Sequence, residues 1–300
     1  MIRHKQITKL KPEFVEKKLQ EFFNEDNVSE DITTNTTQQK NKTAEARFVA
    51  KEDMVFAGKE IINQGFKECF IISIKNDGVH FKAGEIIAEV SGPTAIILKK
   101  ERVILNLLQR LSGIATITYT LAKKLKKYNI QLLDTRKTTP GLREFEKFAV
   151  SVGGGTNHRF SLKDAVMIKD NHLIGNPNLK EAVSKAASQN PGKDIEVEVD
   201  TRKQLDEALE TKATSILLDN FLPEHLPETI QHIRSHKNGS NIYIELSGGI
   251  NSENTSTRVL GNSGCRLSLL LVRTASYLYQ NLLPAVLPGS SLQQFYCARG

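Results

Sequence analysis

Apolar positions along the chain change texture twice. Over 12–23 (PEFVEKKLQEFF), Phe14, Val15, Leu19, Phe22 and Phe23 recur at helical spacing and predict an amphipathic helix. The stretch 24–42 is rich in Asp, Asn, Ser and Thr and predicts a polar loop. From 43 to 98 short β-like runs take over (ARFVA, MVFAG, CFIISI, VHFKAG, EIIAEVSG, TAIIL), punctuated by Gly58, Gly65, Gly78, Gly84 and Gly92. They predict a small antiparallel sheet. Residues 101–111 read as a helix with Val103, Leu107, Leu108 and Leu111 on its apolar face, stopped by Ser112-Gly113.

After residue 114 the chain turns to strand–loop–helix units. Candidate strands are 131–135, 148–152, 164–169, 195–200, 215–219, 242–247 and 266–272, with amphipathic helices between most of them, such as 178–189 and 201–212. Strands alternating with helices predict parallel βαβ units. Seven strands over this length suit a closed α/β barrel better than an open sheet.

Composition narrows the partners. The chain has 300 residues, 39% of them hydrophobic and 25% charged, an ordinary globular balance. No apolar run is long enough to span a bilayer, the start shows no secretory signal, and three cysteines (Cys69, Cys265, Cys297) make no disulfide framework. These features point to a reducing, cytoplasmic setting and away from a membrane. The net charge of +7 favours an anionic partner. Clustered Lys123, Lys124, Lys126 and Lys127 read as a solvated helix face. With no basic tail, RNA-recognition motif or zinc finger, nucleic acid is not the expected partner.

In α/β barrels the chemistry sits at the C-terminal ends of the strands. Six such ends are polar here: 134–141, 153–159, 169–172, the Glu196, Glu198 and Asp200 series, Asp219-Asn220, and Ser247-Gly248-Gly249. Arg136, Lys137, Arg159 and Lys169 would set four cations around one mouth. Without acidic partners they repel each other, so an anion should fill the space between them. Ser247-Gly248-Gly249 would let backbone N–H groups approach a phosphate. Glu196, Glu198 and Asp200 alternate on one strand face, and with Asp219 they could hold Mg²⁺ or accept ribose hydroxyls. His172 reads as an ordinary loop histidine, whereas His158 adjoins Arg159.

The blocks ERVILNLLQRLSGIAT (101–116), LLDTRKTTPGLREFEKFAV (132–150), GGGTNHRFSLKDAVMIKDNHL (153–173), EVEVD (196–200), LLDNF (217–221) and ELSGGI (245–250) resemble quinolinate phosphoribosyltransferase, the carboxylating nicotinate-nucleotide pyrophosphorylase. The resemblance spans roughly residues 10–250. It implies an N-terminal α+β open sandwich (1–113), an incomplete, about seven-stranded α/β barrel (114–275) and an atypical tail (276–300). It further implies a homodimer with shared active sites, and Mg²⁺-dependent transfer from phosphoribosyl pyrophosphate to quinolinate. The products are nicotinate mononucleotide, pyrophosphate and carbon dioxide. By the same resemblance Arg136, His158, Arg159 and Lys169 hold quinolinate, Arg102 reaches in from the other subunit, and Lys137 faces the sugar-phosphate substrate. Thr135 joins the binding set, Glu198 and Asp219 lie near the ribose and Mg²⁺, and Ser247, Gly248 and Gly249 form the phosphate loop. Glu198, Asp219, Lys137 and Lys169 are the catalytic candidates.

Beyond Ile250 the likeness fades. Arg266 stands where the family carries an acid and Leu270 where it carries a glycine, and the tail has no family likeness. A frame-shifted or mis-spliced gene reading, or real divergence with a weakened phosphate site, would each produce this. Three other readings remain: a nicotinate-specific enzyme, for which the arginines are too many; a Schiff-base aldolase or lyase using Lys169; and a non-catalytic nucleic-acid binder.

Overall fold

The structure is a computed structural model describing residues 4–39, 41–175, 178–248, 266–268 and 292–297, the last two stretches by backbone alone. Pro12 supplies a φ suited to a first helical turn and opens α1 (Pro12–Glu25), which buries Val15, Leu19 and Phe23. The polar stretch after it is not all loop. Asp31 accepts the Thr34 N–H at 2.9 Å and so caps a short α2 (Ile32–Thr37). Strand β1 (Thr43–Ala50), β2 (Met54–Val55), α3 (Lys59–Gly65), β3 (Phe70–Ile74), β4 (His80–Phe81) and β5 (Ile86–Pro93) follow. Strands β1, β5 and β3 are antiparallel neighbours, as the alternation predicts.

The next two expectations fail for one reason. The run 94–98 is not a strand and Ser112-Gly113 is not a stop, because α4 (Thr94–Lys126) runs unbroken through both. Ser112 is fully buried and its hydroxyl accepts the Ala57 N–H at 3.1 Å, while Thr116 accepts Val55 N–H at 2.8 Å. These hydroxyls satisfy backbone of the β2 region, a tertiary use that local propensity does not reveal. The lysines near its C-terminal end are exposed, as expected.

Strand β6 (Gln131–Leu133) then leads to α5 (Arg143–Val152). The segment 148–152, expected as a strand, is the end of this helix. A five-residue apolar run fits either period. Here Phe145 and Phe148 are buried, and Phe145 lies 5.1 Å from the Phe14 ring, so packing on α1 decides. The remaining units are β7 (Val166–Ile168), α6 (Asp170–Leu173), α7 (Leu179–Gln189), β8 (Ile195–Val199), α8 (Arg202–Leu209), β9 (Ser215–Asp219), α9 (Leu226–Ser235), β10 (Tyr243–Ser247), β11 (Arg266–Ser268) and β12 (Leu292–Cys297). Asn178 and Thr201 cap α7 and α8 where the sequence places their starts.

Strands β6, β11, β10, β9, β8 and β7 form one parallel sheet in that order. A single parallel bridge, Leu133 to Thr156, extends it past β6. The α/β class and the incomplete barrel are as expected. The preference for full closure is corrected, since no ladder joins β7 to Thr156 among the described residues. Strand β12 pairs in parallel with β1. The described residues divide into two compact units. Met1–Gln6, Thr120–Lys137 and Gly155–Leu270 carry the parallel sheet, and Ile7–Tyr119, Thr138–Gly154 and Leu271–Gly300 carry the antiparallel one. No described helix is long and apolar enough to cross a membrane. Gly249, Leu270 and most of the tail lie outside the described residues.

Candidate active site

Parallel register puts side chains of one parity in layers on the sheet's inner face. Glu196 pairs with Ser215, Glu198 with Leu217, Leu217 with Glu245, and Asp219 with Ser247. The layers run from buried Glu196 and Glu245 to half-exposed Asp219 and Ser247. A pocket of about 160 Å³ opens at these strand ends. Asp134, Thr135, Arg136 and Lys137 line it after β6, with His158 and Arg159 from the loop past Thr156. Met167, Glu198, Leu217, Glu245 and Ser247 come from the four strands β7 to β10, and Lys169 directly follows β7.

The loop holding His158 and Arg159 is fixed by backbone capture. Asp134 accepts the His158 N–H at 2.8 Å through one carboxylate oxygen and the Asn157 side chain at 2.7 Å through the other. Gln6 makes a reciprocal pair with Asn157, donating to its carbonyl at 2.9 Å and accepting its N–H at 2.8 Å. The His4 ring lies 4.6 Å from that of His158.

Arg159 is 92% removed from solvent in a pocket wall, being 8% exposed. Among the described residues its guanidinium donates only to the Ala165 carbonyl at 3.4 Å and the Met167 sulfur at 3.1 Å, both weak neutral acceptors. Burial and the charge of Arg136 hold it below the usual arginine range. Such a guanidinium retains unused donors for a planar anion.

Lys169 differs, because it is ion-paired with Glu198. The expected mouth of unpartnered cations is therefore corrected. The four cations do converge, but Asp134, Glu198 and Glu245 line the same pocket. His172 accepts the Lys169 N–H at 3.1 Å, a local turn role like that expected for it.

The carboxylate series separates by depth. Glu196, at 5% exposure, accepts the Ser215 hydroxyl at 3.0 Å and lies 3.4 Å from His158 Nε2. It is thus taken out of the set that could hold a metal near the rim. Asp200 is exposed, and its carboxyl is pushed up by partial burial and by the charges of Asp219 and Asp170. Asp219 accepts the Asn220 side-chain amide at 2.9 Å.

Ser247-Gly248 meets Asn220 directly. Gly248 has φ +89°, and a Cβ there would stand 2.2 Å from Asn220 Oδ1. Arg102 is exposed on α4, in the other unit, where it lines a cleft with Phe22, Asp26, Asn106 and Leu107.

The chain is similar to known proteins along most of its length. The family model for the quinolinate phosphoribosyl transferase C-terminal domain covers residues 114–261, and that for the N-terminal domain covers 31–112. The chain belongs to the quinolinate phosphoribosyltransferase family. A relative named probable nicotinate-nucleotide pyrophosphorylase [carboxylating] from Bacillus subtilis (strain 168) is 44% identical over 245 residues, 80% of this chain and 82% of the relative. A relative named nicotinate-nucleotide pyrophosphorylase [carboxylating] from Mycobacterium leprae (strain TN) is 34% identical over 230 residues, 75% of this chain and 80% of the relative. The solved nicotinate-nucleotide pyrophosphorylase of Francisella tularensis superposes with a TM-score of 0.82 at 33% identity, covering 89% of this chain and 94% of that one.

Within this family member, sequence reasoning missed Glu245, the structural use of Asp134, and the strap formed by His4 and Gln6. Glu245 did leave a signal, as a lone acid at an inward position of the otherwise apolar strand IYIELS. His4 and Gln6 left none, because their partners lie about 150 residues away.

Proposed function

We infer that this chain transfers the phosphoribosyl group of phosphoribosyl pyrophosphate to quinolinate with loss of carbon dioxide, yielding nicotinate mononucleotide and pyrophosphate in NAD biosynthesis. Family membership supports the reaction. The pocket carries the substrate class: Arg136, His158, Arg159 and Lys169 surround one small cavity whose buried guanidinium spends its donors on neutral atoms. A pyridine with two carboxylates uses such a pocket fully, and nicotinate with one does not.

In the reaction the pyridine nitrogen attacks C1 of the ribose and the bond to the pyrophosphate oxygen breaks. The carboxylate beside the ring nitrogen then leaves as carbon dioxide. Its electron pair stays on the ring carbon, next to the cationic nitrogen, and takes a proton. Arg136, Arg159 and His158 grip the two carboxylates and orient the nitrogen. Lys169, with Thr135 beside them, completes that wall. Glu198 and Asp219 face the positive charge that develops at C1, and preorganised charge there acts without reorganisation. Lys137 takes the leaving pyrophosphate, and Ser247, Gly248 and Gly249 take the 5′-phosphate. Most of the rate gain is positioning plus electrostatics.

Glu198 and Asp219 offer the hard oxygen donors that Mg²⁺ prefers, and the crowding of Asp170, Asp200 and Asp219 is relieved by a divalent cation. When bound, Mg²⁺ supplies charge neutralisation for the phosphate oxygens. The chain acts as a homodimer in which Arg102 serves the partner's pocket. The sparse cysteines support a cytoplasmic location. The Schiff-base alternative is disfavoured by the ion pair of Lys169 with Glu198, since a nucleophilic lysine needs an apolar or cationic neighbourhood.

The test is purified protein with quinolinate, phosphoribosyl pyrophosphate and Mg²⁺, following nicotinate mononucleotide and carbon dioxide. Turnover that falls roughly a hundredfold or more in both Arg159→Ala and Lys169→Ala supports the reading. Folded protein that turns over nicotinate but not quinolinate overturns it.

A further inference from the structure

We propose that Glu196 and Glu245 hold His158 as a fixed imidazolium at the floor of the pocket, making it a permanent third cation beside Arg136 and Arg159. The inference deepens the proposed function and rests on it only for the identity of the ligand.

Nε2 of His158 lies 3.4 Å from Glu196 on β8 and 3.5 Å from Glu245 on β10. All three side chains are buried, with exposures of 7%, 5% and 3%. One ring nitrogen thus lies within 3.5 Å of two carboxylates that have left water. Asp134 fixes the backbone of His158 from the end of β6, and His4 covers its ring from the N-terminal segment. Arg159 is the next residue, and Arg136 faces Arg159 from the β6 loop.

The charge balance gives this arrangement its meaning. Asp134, Glu196 and Glu245 are three buried acids. Against them stand Arg136, Arg159 and the imidazole. Glu196 and Glu245 also share a hydrogen bond, so one proton lies between them when Glu196 is ionised. An imidazolium compensates the carboxylate it faces and offers a cation to the ligand, and a neutral imidazole does neither. Burial alone would pull His158 down, but the hydrogen bond to Glu196 and the charges of Glu245, Glu196 and Asp134 outweigh it and hold the imidazole above its ordinary range. Burial alone would raise Glu196, but the hydrogen bond and charge of His158, with hydrogen bonds from Ser215 and Glu245, keep it below the carboxylate range. The same three side chains are close enough to contact one metal ion. Two neighbouring arginines oppose a divalent cation there, whereas a proton brings a single charge and needs no further ligands.

The full-length protein with ¹⁵N-labelled histidine tests this, with His158→Gln assigning the signal. Wild-type His158 should titrate above an exposed histidine, and Glu245→Gln and Glu196→Gln should each lower its titration. Titration at or below the ordinary value in the wild type overturns the proposal, whether or not a variant folds. Unchanged titration in both folded variants also overturns it, as does a zinc titration that shifts the Nε2 signal at equimolar metal. Calorimetry with quinolinate over the same pH range separates the underlying reading. Affinity that declines as His158 loses its proton, and declines at lower pH in Glu245→Gln, supports both. If the His158 titration behaves as proposed while affinity ignores it, the buried cation stands and the role of His158 as a substrate contact falls.

Discussion

Gly248 shows how one residue can be dictated by its surroundings. It has a left-handed backbone, and its missing Cβ leaves room for Asn220, itself at φ 57° with its N–H bonded to Ser247 at 3.1 Å. Gly248→Ala should cost about 1–3 kcal/mol, read by denaturant unfolding, and should raise KM for phosphoribosyl pyrophosphate more than for quinolinate. Glu101 is a second residue under constraint. Burial pushes its carboxyl up to about 7 against an ordinary 4.5, one of its oxygens has no hydrogen-bond partner among the described residues, and the charge of Arg102 opposes the shift. Between those two values the unfolded chain has released its proton and the folded chain has kept it. Stability therefore falls as pH rises through this window, and the loss is complete above it. Glu101→Gln should remove a penalty on the order of 1–2 kcal/mol at about pH 8 and change little at about pH 4, after discounting for partial exposure. Equal effects at both pH values would contradict this.

Among elements, the turn after β6 depends on a buried ion pair. Glu146 on α5 is fully buried and bonds Arg110 of α4 at 2.6 Å, and its other oxygen accepts the Thr139 N–H at 3.1 Å. Arg110 also donates to the Thr139 hydroxyl. Thr139 lies two residues beyond Lys137, so this clamp anchors one end of the segment that carries Arg136 and Lys137. Removing one partner of a buried pair leaves the other uncompensated. Glu146→Ala should cost about 3 kcal/mol in unfolding, and Glu146→Gln less, because the amide still accepts the Thr139 N–H. Both residues lie inside motifs visible in the sequence, yet their pairing was not legible. They are 36 positions apart and meet only in the folded chain.

At the scale of the whole molecule, the proposed dimer makes a prediction that no single site can. If Arg102 serves the partner's pocket, Arg102→Ala and Lys169→Ala remove different halves of one site. Each variant alone should be nearly inactive. Mixing the two under conditions of subunit exchange should restore about a quarter of wild-type activity, since half the dimers are mixed and each of those has one intact site. No recovery from a mixture shown to exchange would place Arg102 outside the partner's site.

What the sequence determined by itself was whatever short-range pattern encodes. Alternation and helical period located α1, β8, β9, β10, α7 and α8, and the succession of strand and helix predicted a parallel sheet with its polar strand ends on one side. The residues gathered in the pocket, from Arg136 to Ser247, were readable because strand ends in such a sheet must converge. Tertiary structure alone decided the rest. Short apolar runs at 94–98 and 148–152 fit two periods, and packing against other elements chose helix for both. The sheet stopped short of closure because only one bridge forms beyond β6 among the described residues. The ion pairing of Lys169 with Glu198, the burial of Glu196 and Glu245 against His158, and the strap of His4 and Gln6 all join residues far apart in the chain. Electrostatics depends on distance and burial, and neither is written in local order.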